Sequence, residues 1–243
     1  MDSLLGKNAI FIQARISSTR LPAKIFLDLQ NHRSILQNCI IRAIEISKIL
    51  NLEQPVILCP KDDIDFISRH IADFSQECRI FGGSESNVLQ RFYEASNFYN
   101  VEGIIRATSD NPLLCFEPIE ICLSHLTSVS MVDPVIIDLY SIKKLPNGTV
   151  VSGFNRNFLK CLLDSSPTSE TKEHIVLFDI NPAILSIQPE IPEVLADYKY
   201  RFCVDDLGDY KEILSLNSDI FDALNYVDLK NFLGKVNESN IGY

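Results

Sequence analysis

Ala9-Ile10-Phe11-Ile12-Gln13-Ala14-Arg15-Ile16-Ser17-Ser18-Thr19-Arg20-Leu21-Pro22-Ala23-Lys24 is the stretch whose reading decides the fold. Its first four residues make an apolar run too short for a helix and ending in polar residues, which reads as a buried strand. The remainder puts three cations (Arg15, Arg20, Lys24) and three hydroxyls (Ser17, Ser18, Thr19) into one loop, the outline of an anion cradle. Phosphate oxygens need converging N–H and O–H donors with fixed positive charge; arginine supplies a planar fork and lysine a movable point charge. The alternative is an exposed polar loop whose cations balance nearby acids. The glycines and G-K-[ST] ending of a Walker loop are absent.

Outward from this loop, short apolar runs alternate with helical patterns. Pro55-Val56-Ile57-Leu58, Arg79-Ile80-Phe81 and Gly103-Ile104-Ile105 read as further buried strands. From Ser34, the residues Ile35, Leu36, Cys39, Ile40, Ala43 and Ile44 keep a period near 3.6, and Ser34 with Gln37 forms a capping box. Asp62 to Phe74 and Asn87 to Tyr99 repeat the helical pattern. Strand, helix, strand, helix predicts an α/β fold, a mostly parallel central sheet with helices on both faces. The second half is less regular. It offers strands at Pro134–Ile137 and Tyr200–Val204, with helices over Asn155–Leu163, Thr168–Asp179, Asp209–Leu216 and Val227–Val236. With no repeat or flexible linker, the expectation is one domain over residues 1–243. Ligands of such sheets sit outside the carboxyl ends of the strands, which directs attention to the loops after Ile12, Ile105 and Val204.

Composition removes several classes of function. Twenty-two Lys and Arg against 32 Asp and Glu give a formal charge of −10, the wrong sign for a chain that coats nucleic acid or anionic lipid. Any polyanion it binds must be small and locally cradled. Seven cysteines without a C-x-x-C pair fit reduced thiols and a cytoplasmic chain. No basic and apolar leader opens the sequence and no apolar run approaches the roughly 18 residues that span a bilayer, so neither secretion nor membrane insertion is expected.

Two acidic loops complement the cationic one. Arg106-Ala107-Thr108-Ser109-Asp110-Asn111-Pro112-Leu113 places a carboxylate at the end of a strand, suited to a divalent cation that takes carboxylate, water and phosphate oxygens; the plainer reading has Asp110 capping a helix or closing a turn. Val204-Asp205-Asp206-Leu207-Gly208-Asp209 is the second, with helix capping as its plainer reading. Together with the cationic loop they make the parts list of metal-assisted phosphoryl or nucleotidyl transfer. Gly82-Gly83-Ser84-Glu85-Ser86-Asn87 is either a backbone nest or a turn before the helix that carries Arg91. His174 reads as structural or surface, His32, His70 and His125 lack metal-site spacing, and no serine nucleophile motif occurs.

At these residues the chain resembles the nucleotide-sugar cytidylyltransferases that include the CMP-sialic acid and CMP-KDO synthetases, most closely their SpsF-like spore-coat polysaccharide branch. Ile12 to Lys24 is similar to the family's IQAR-x-x-STRLPGK signature, Phe81 to Phe92 to RGSEDDVLDRY, and Arg106 to Leu113 to RITGDCPL. Glu173-His174-Ile175 resembles REHV, and Val204 to Tyr210 resembles VDTPEDL. The matches are ordered and span most of the chain. The resemblance implies a Rossmann-like nucleotide-diphospho-sugar transferase fold and transfer of CMP from CTP to a sugar, acidic or of a surface polysaccharide, with release of pyrophosphate. It implies that Arg15, Ser18, Arg20, Lys24 and Arg91 bind nucleotide with Ala14 near the base, that Asp110 and Asp205 hold Mg2+, and that Lys24, Arg15 and Asp110 carry the reaction. It also implies a homodimer, for which the irregular stretch from Met131 to Asp179 is the expected interface.

Two departures qualify this reading. Ala23 stands where the signature has glycine, which is harmless at negative φ and crowding if the backbone must approach a phosphate. Val150 and Ser152, in Asn147-Gly148-Thr149-Val150-Val151-Ser152-Gly153-Phe154, stand where the family's DGLDVEVF segment has carboxylates. Their loss points to a changed acceptor pocket, or to a nucleotide-binding partner protein without turnover. A glycosyltransferase is the remaining alternative, against which Ser109-Asp110-Asn111 lacks a D-x-D motif.

Overall fold

The computed structural model describes residues 7–175, 182–196, 200–216 and 218–231. Four strands, β1 (Asn8–Gln13), β2 (Glu53–Pro60), β3 (Arg79–Gly83) and β4 (Gly103–Thr108), pair in parallel. Three more, β5 (Val135–Asp138), β6 (Ser152–Asn155) and β7 (Leu185–Ile187), complete a seven-stranded sheet in the order β3-β2-β1-β4-β6-β5-β7. Only β6 runs antiparallel to its neighbours β4 and β5. The expected Rossmann-like, mostly parallel architecture is what forms.

Successive residues of a strand face opposite sides, and β1 shows the consequence. Ile10 and Ile12 join the core under α1 (Ile35–Ile49) and α4 (Phe116–Ser128), while Ala9 and Phe11 join a second core under α3 (Val88–Phe98) and α5 (Arg156–Asp164). Both faces are covered, so β1 is apolar throughout rather than alternating. α1 begins with the expected capping box: Ser34 accepts from the Gln37 N–H and Gln37 accepts from the Ser34 N–H. Asn87 and Asn155 cap α3 and α5 in the same way, each accepting from the N–H three residues on.

Several expectations are corrected. The single helix over Asp62–Phe74 is divided into a 3-10 turn at Lys61–Asp63, α2 (Ile64–His70) and another 3-10 turn at Ala72–Phe74, because Ile71 leaves helical geometry at φ −110° and ψ 20°. The helix expected to reach Asp179 is α6 (Ser169–His174), ended by Ile175 at φ 52°; residues 176–179 lie outside the described residues, as do residues 232–236 of the Val227–Val236 helix, whose described part is helical. The helix expected over Asp209–Leu216 is α7 (Leu207–Leu214), which starts two residues before Asp209 because Asp206 caps it. α4, β6 and β7 were not anticipated; β6 holds a single large apolar residue, Phe154, and its Gly153 lies against Cys122 of α4.

The most informative correction concerns Tyr200–Val204. The segment forms no ladder. It lies beside the sheet's end on one bridge, Asn147 to Arg201, and two backbone bonds, Phe202 N–H to Asn147 O (2.6 Å) and Val204 N–H to Asp110 O (2.9 Å). Gly148 makes that approach possible. Its φ is +97°, and a Cβ there would stand 2.4 Å from both the Cys203 nitrogen and the Phe202 carbonyl carbon, a backbone collision that no rotamer relieves. Gly148→Ala is therefore expected to lower unfolding free energy by on the order of 3 kcal/mol, measured by urea denaturation; wild-type stability would show that the crossing at residue 148 is not tight.

Candidate active site

The chain leaves β1 through a loop pinned at its base. The Ala14 N–H donates to Leu58 O at 2.9 Å, the Ile16 N–H to Asp63 Oδ2 at 2.9 Å, and the Ala23 N–H to Ile16 O at 3.1 Å. Between these anchors the N–H groups of Ser17 to Arg20 and the hydroxyls of Ser17, Ser18 and Thr19 have no hydrogen-bond partner among the described residues. Ala23 itself sits at φ 56°. The departure from glycine therefore falls on a left-handed position, where an L side chain costs roughly 1–2 kcal/mol.

Lys24, the next residue, turns back under the loop with its side chain only 11% exposed. Its ammonium donates to Asp110 Oδ2 at 2.7 Å, Val204 O at 2.7 Å and Asp205 Oδ1 at 3.2 Å. Both acidic loops thus meet the cationic loop at one nitrogen atom. Asp110 is held by a turn at the end of β4, with the Ser109 N–H on Gln13 O and the Asn111 N–H on Thr108 O. In the other acidic loop the carboxylates divide their work: Asp206 caps α7, and Asp205 faces Lys24, Arg20 (2.9 Å) and Arg201 (2.7 Å).

A cleft runs over this meeting point in two parts. One cavity of about 330 Å³ lies between the loop, the end of β4 and α6. A second, of about 420 Å³, continues toward Tyr140, Asn147, Glu170 and Cys203. Arg106, Thr108, Asp110, His174 and Asp205 line both. Arg15 closes one side through Glu173 of α6 at 3.3 Å.

The electrostatics follow from these contacts. Burial works to raise Asp205, but the charge and hydrogen bond of Lys24, with Arg20 and Arg201, carry its carboxyl below the usual 3.8. Asp209 is lowered by its hydrogen bond from Arg201. Burial pushes the Cys203 thiol up to about 12 and the Tyr140 phenol up to about 12, so both stay protonated at neutral pH. Cys203, Asp205 and Asp209 lie close enough together to hold a metal ion. A protonated thiol is a poor ligand, and Arg201 already binds both carboxylates, which leaves that trio a structural cluster.

Arg15, Ser18, Arg20, Lys24, Asp110 and Asp205 are brought together as the sequence suggests. Two expected residues are placed elsewhere. Ala14 is buried, 1% exposed, beside β2. Arg91 is also 1% exposed and holds Ser84 O at 2.7 Å with its stem against Gly83, so it braces the β3–α3 turn. Gly82 and Gly83 end strand β3, paired with Cys59 and Pro60 of β2, and a turn follows them in which the Ser84 hydroxyl accepts from the Asn87 N–H. Arg106 carried no assigned role in the sequence, and His174, read there as structural or surface, lines both cavities. The available signal at Arg106 was a charge inside an otherwise apolar strand, flanked by Ile104, Ile105 and Ala107.

Cations and acids converging on one cleft suit the holding of a polyphosphate while its charge is redistributed. In that respect the protein is a nucleotidyltransferase of the α/β class. Comparison with known proteins narrows the class: residues 9–219 match the family described as "Cytidylyltransferase", and the chain belongs to it. It is 30% identical over 224 residues to the uncharacterized protein MJ1063 of Methanocaldococcus jannaschii, covering 91% of this chain and 87% of that one. It is 29% identical over 215 residues to the spore coat polysaccharide biosynthesis protein SpsF of Bacillus subtilis, covering 84% of each. A cytidylyltransferase structure from Leptospira borgpetersenii superposes with a TM-score of 0.77 at 27% identity over 96% of both chains.

Two outcomes are expected. Ala23→Gly relieves the left-handed strain while loosening the unfolded chain, for a net gain of about 0.5–1 kcal/mol; a loss in urea unfolding would show that the strain is absent. For Arg201 the sign follows from the depressed carboxylates: stability from Asp205 and Asp209 is complete above the ordinary 3.8 and is lost as pH falls through their lower folded values. The stability gap between wild type and Arg201→Met should accordingly shrink as pH drops below about 4. A gap that widens with acid would contradict the assignment.

Proposed function

We propose that the protein transfers a cytidylyl group from CTP to a hydroxyl of a surface-polysaccharide sugar, with Mg2+ as cofactor and pyrophosphate as the leaving group. The observation that carries this reading is the Lys24 ammonium set between Asp110 and Asp205 beneath a loop of unpartnered N–H and O–H donors. The family supports CTP as the nucleotide, and the likeness to SpsF supports a surface-polysaccharide sugar as the acceptor. The free thiols, all but Cys161 buried, accord with a reducing cytoplasm, and a homodimer is part of the same reading.

The donor set fits a hard divalent cation. Asp110 Oδ2 and Asp205 Oδ1 both approach the Lys24 ammonium, so once that ammonium turns to a phosphate the two carboxylates can share the ion, and an all-oxygen set leaves room for water and phosphate ligands. The ion, when bound, neutralises charge on phosphoryl oxygens. Arg15, Arg20 and Lys24, with the Ser17–Thr19 donors, hold the β- and γ-phosphates against the loop. The acceptor hydroxyl oxygen bonds to the α-phosphorus, the bond from that phosphorus to the bridging oxygen breaks, and the hydroxyl proton passes to solvent. No covalent enzyme intermediate is needed, because positioning and charge neutralisation lower the barrier.

Pyrophosphate release from CTP across a panel of sugars tests this reading. Lys24→Ala and Asp110→Asn are each expected to reduce it by at least about 100-fold with the circular dichroism spectrum unchanged. Full activity in either variant would remove these residues from the mechanism. A melting panel of CTP, UTP, ATP and GTP, with and without Mg2+, checks the nucleotide separately; stabilisation by another nucleotide in preference to CTP would overturn the donor assignment.

A further inference from the structure

We propose that Arg106 grips the non-bridging oxygens of the phosphoryl group in transit, at the point where the two cavities meet. The inference rests on the cytidylyl-transfer reading and adds to it a residue that binds the reacting group. Position is the first argument. The α-phosphoryl is the one group that touches both the departing pyrophosphate and the incoming hydroxyl, and Arg106 lines both the cavity beside the cationic loop and the cavity beyond it.

Charge is the second argument. Arg106 is 7% exposed, yet its hydrogen bonds among the described residues run to the neutral Gln13 Oε1, from Nε at 3.2 Å and Nη2 at 2.9 Å. Among the described residues no carboxylate lies within ion-pair distance of it; Tyr140 and Asp110 act on it electrostatically, but the Tyr140 phenol is protonated at neutral pH and Asp110 is engaged by Lys24. A guanidinium has five N–H donors, and Gln13 takes two of these, leaving the rest for a ligand. Burying a cation without an opposite charge is costly, and an oxyanion ligand is what offsets that cost.

Ser152 supplies the third argument. Strand β6 pairs Ser152 directly with Arg106 of β4, so the two side chains lie on one face about 5 Å apart at Cβ. Serine at this paired position brings the arginine no charge.

The test uses the full chain and titration calorimetry with CMP, cytidine, CTP and inorganic pyrophosphate. For Arg106→Met, CMP affinity is expected to fall at least tenfold, with cytidine and pyrophosphate affinities unchanged and kcat for pyrophosphate release reduced at saturating CTP. Arg106→Lys should recover part of the loss. Ser152→Glu, which keeps the arginine but pairs it, should reproduce the CMP defect and raise the melting temperature. Wild-type CMP affinity in both Arg106→Met and Ser152→Glu overturns the proposal, as does an equal loss for pyrophosphate and CMP, which would make Arg106 a general source of positive potential. A melt lowered in the methionine variant together with intact CMP binding in Ser152→Glu makes it a structural residue instead. Failure of the wild type to bind CTP overturns the nucleotide reading itself, a result distinct from any contrast among the variants.

Discussion

Everything at the carboxyl end of this sheet depends on one ammonium group. Asp110 and Asp205 come from segments 86 and 181 residues away from Lys24, and two carboxylates brought this close repel each other unless a cation stands between them. Lys24 supplies that charge from a short 3-10 turn in the loop after β1. The surrounding backbone is arranged to keep the three segments in place. Gly148 admits the 201–204 segment, Val204 hydrogen-bonds to Asp110, and Arg42 of α1 ties the region down from below. Its buried guanidinium donates to Leu114 O at 2.6 Å, Phe221 O at 3.1 Å and Ala223 O. That joins the stretch after Asp110 to the 218–223 region through satisfied carbonyls, which would cost free energy if left bare in the interior.

How much of this is legible in the sequence differs between the two halves of the chain. β1, β2 and β4 and α1 and α3 announce themselves because these strands are buried on both faces and each helix carries a cap, Ser34 or Asn87, that fixes its start; β3, at the sheet edge, is half-buried and shows only a short apolar run. The second half hides its elements for physical reasons. β6 is short and contains Gly153, whose lack of a side chain is needed beside Cys122 and erases the apolar run. The 200–204 stretch has strand-like composition because it is buried, but it spans the end of the sheet instead of joining it.

The site was legible through residue type and illegible through direction. Clustered cations against an acidic background pick out the loop, and acids after apolar runs pick out Asp110 and Asp205. Composition could not say that Arg91 points under a turn and Arg106 toward the cleft, since both are arginines within apolar elements. Their difference is the strand register: Arg106 pairs with Phe11 of β1 and shares a face with Gln13 two residues on, at the open end of the sheet.

The resting cleft is already charge-paired, and that shapes how it accepts a ligand. Arg15 is matched with Glu173, Arg20 with Asp205, and Lys24 with Asp110 and Asp205. A polyphosphate arriving alone would have to draw these cations from their acids and leave two neighbouring carboxylates uncompensated. A polyphosphate arriving with a divalent cation exchanges both halves at once, because phosphate oxygens take the cations while the metal takes the acids. In the proposed reaction the two ligands are therefore coupled with positive sign, each raising the affinity for the other by the same factor. Arg106 stands outside this exchange. With no carboxylate to give up among the described residues, it meets an incoming phosphoryl group in the proposed reaction without a displacement step, which is why such a buried guanidinium suits the group that changes partners.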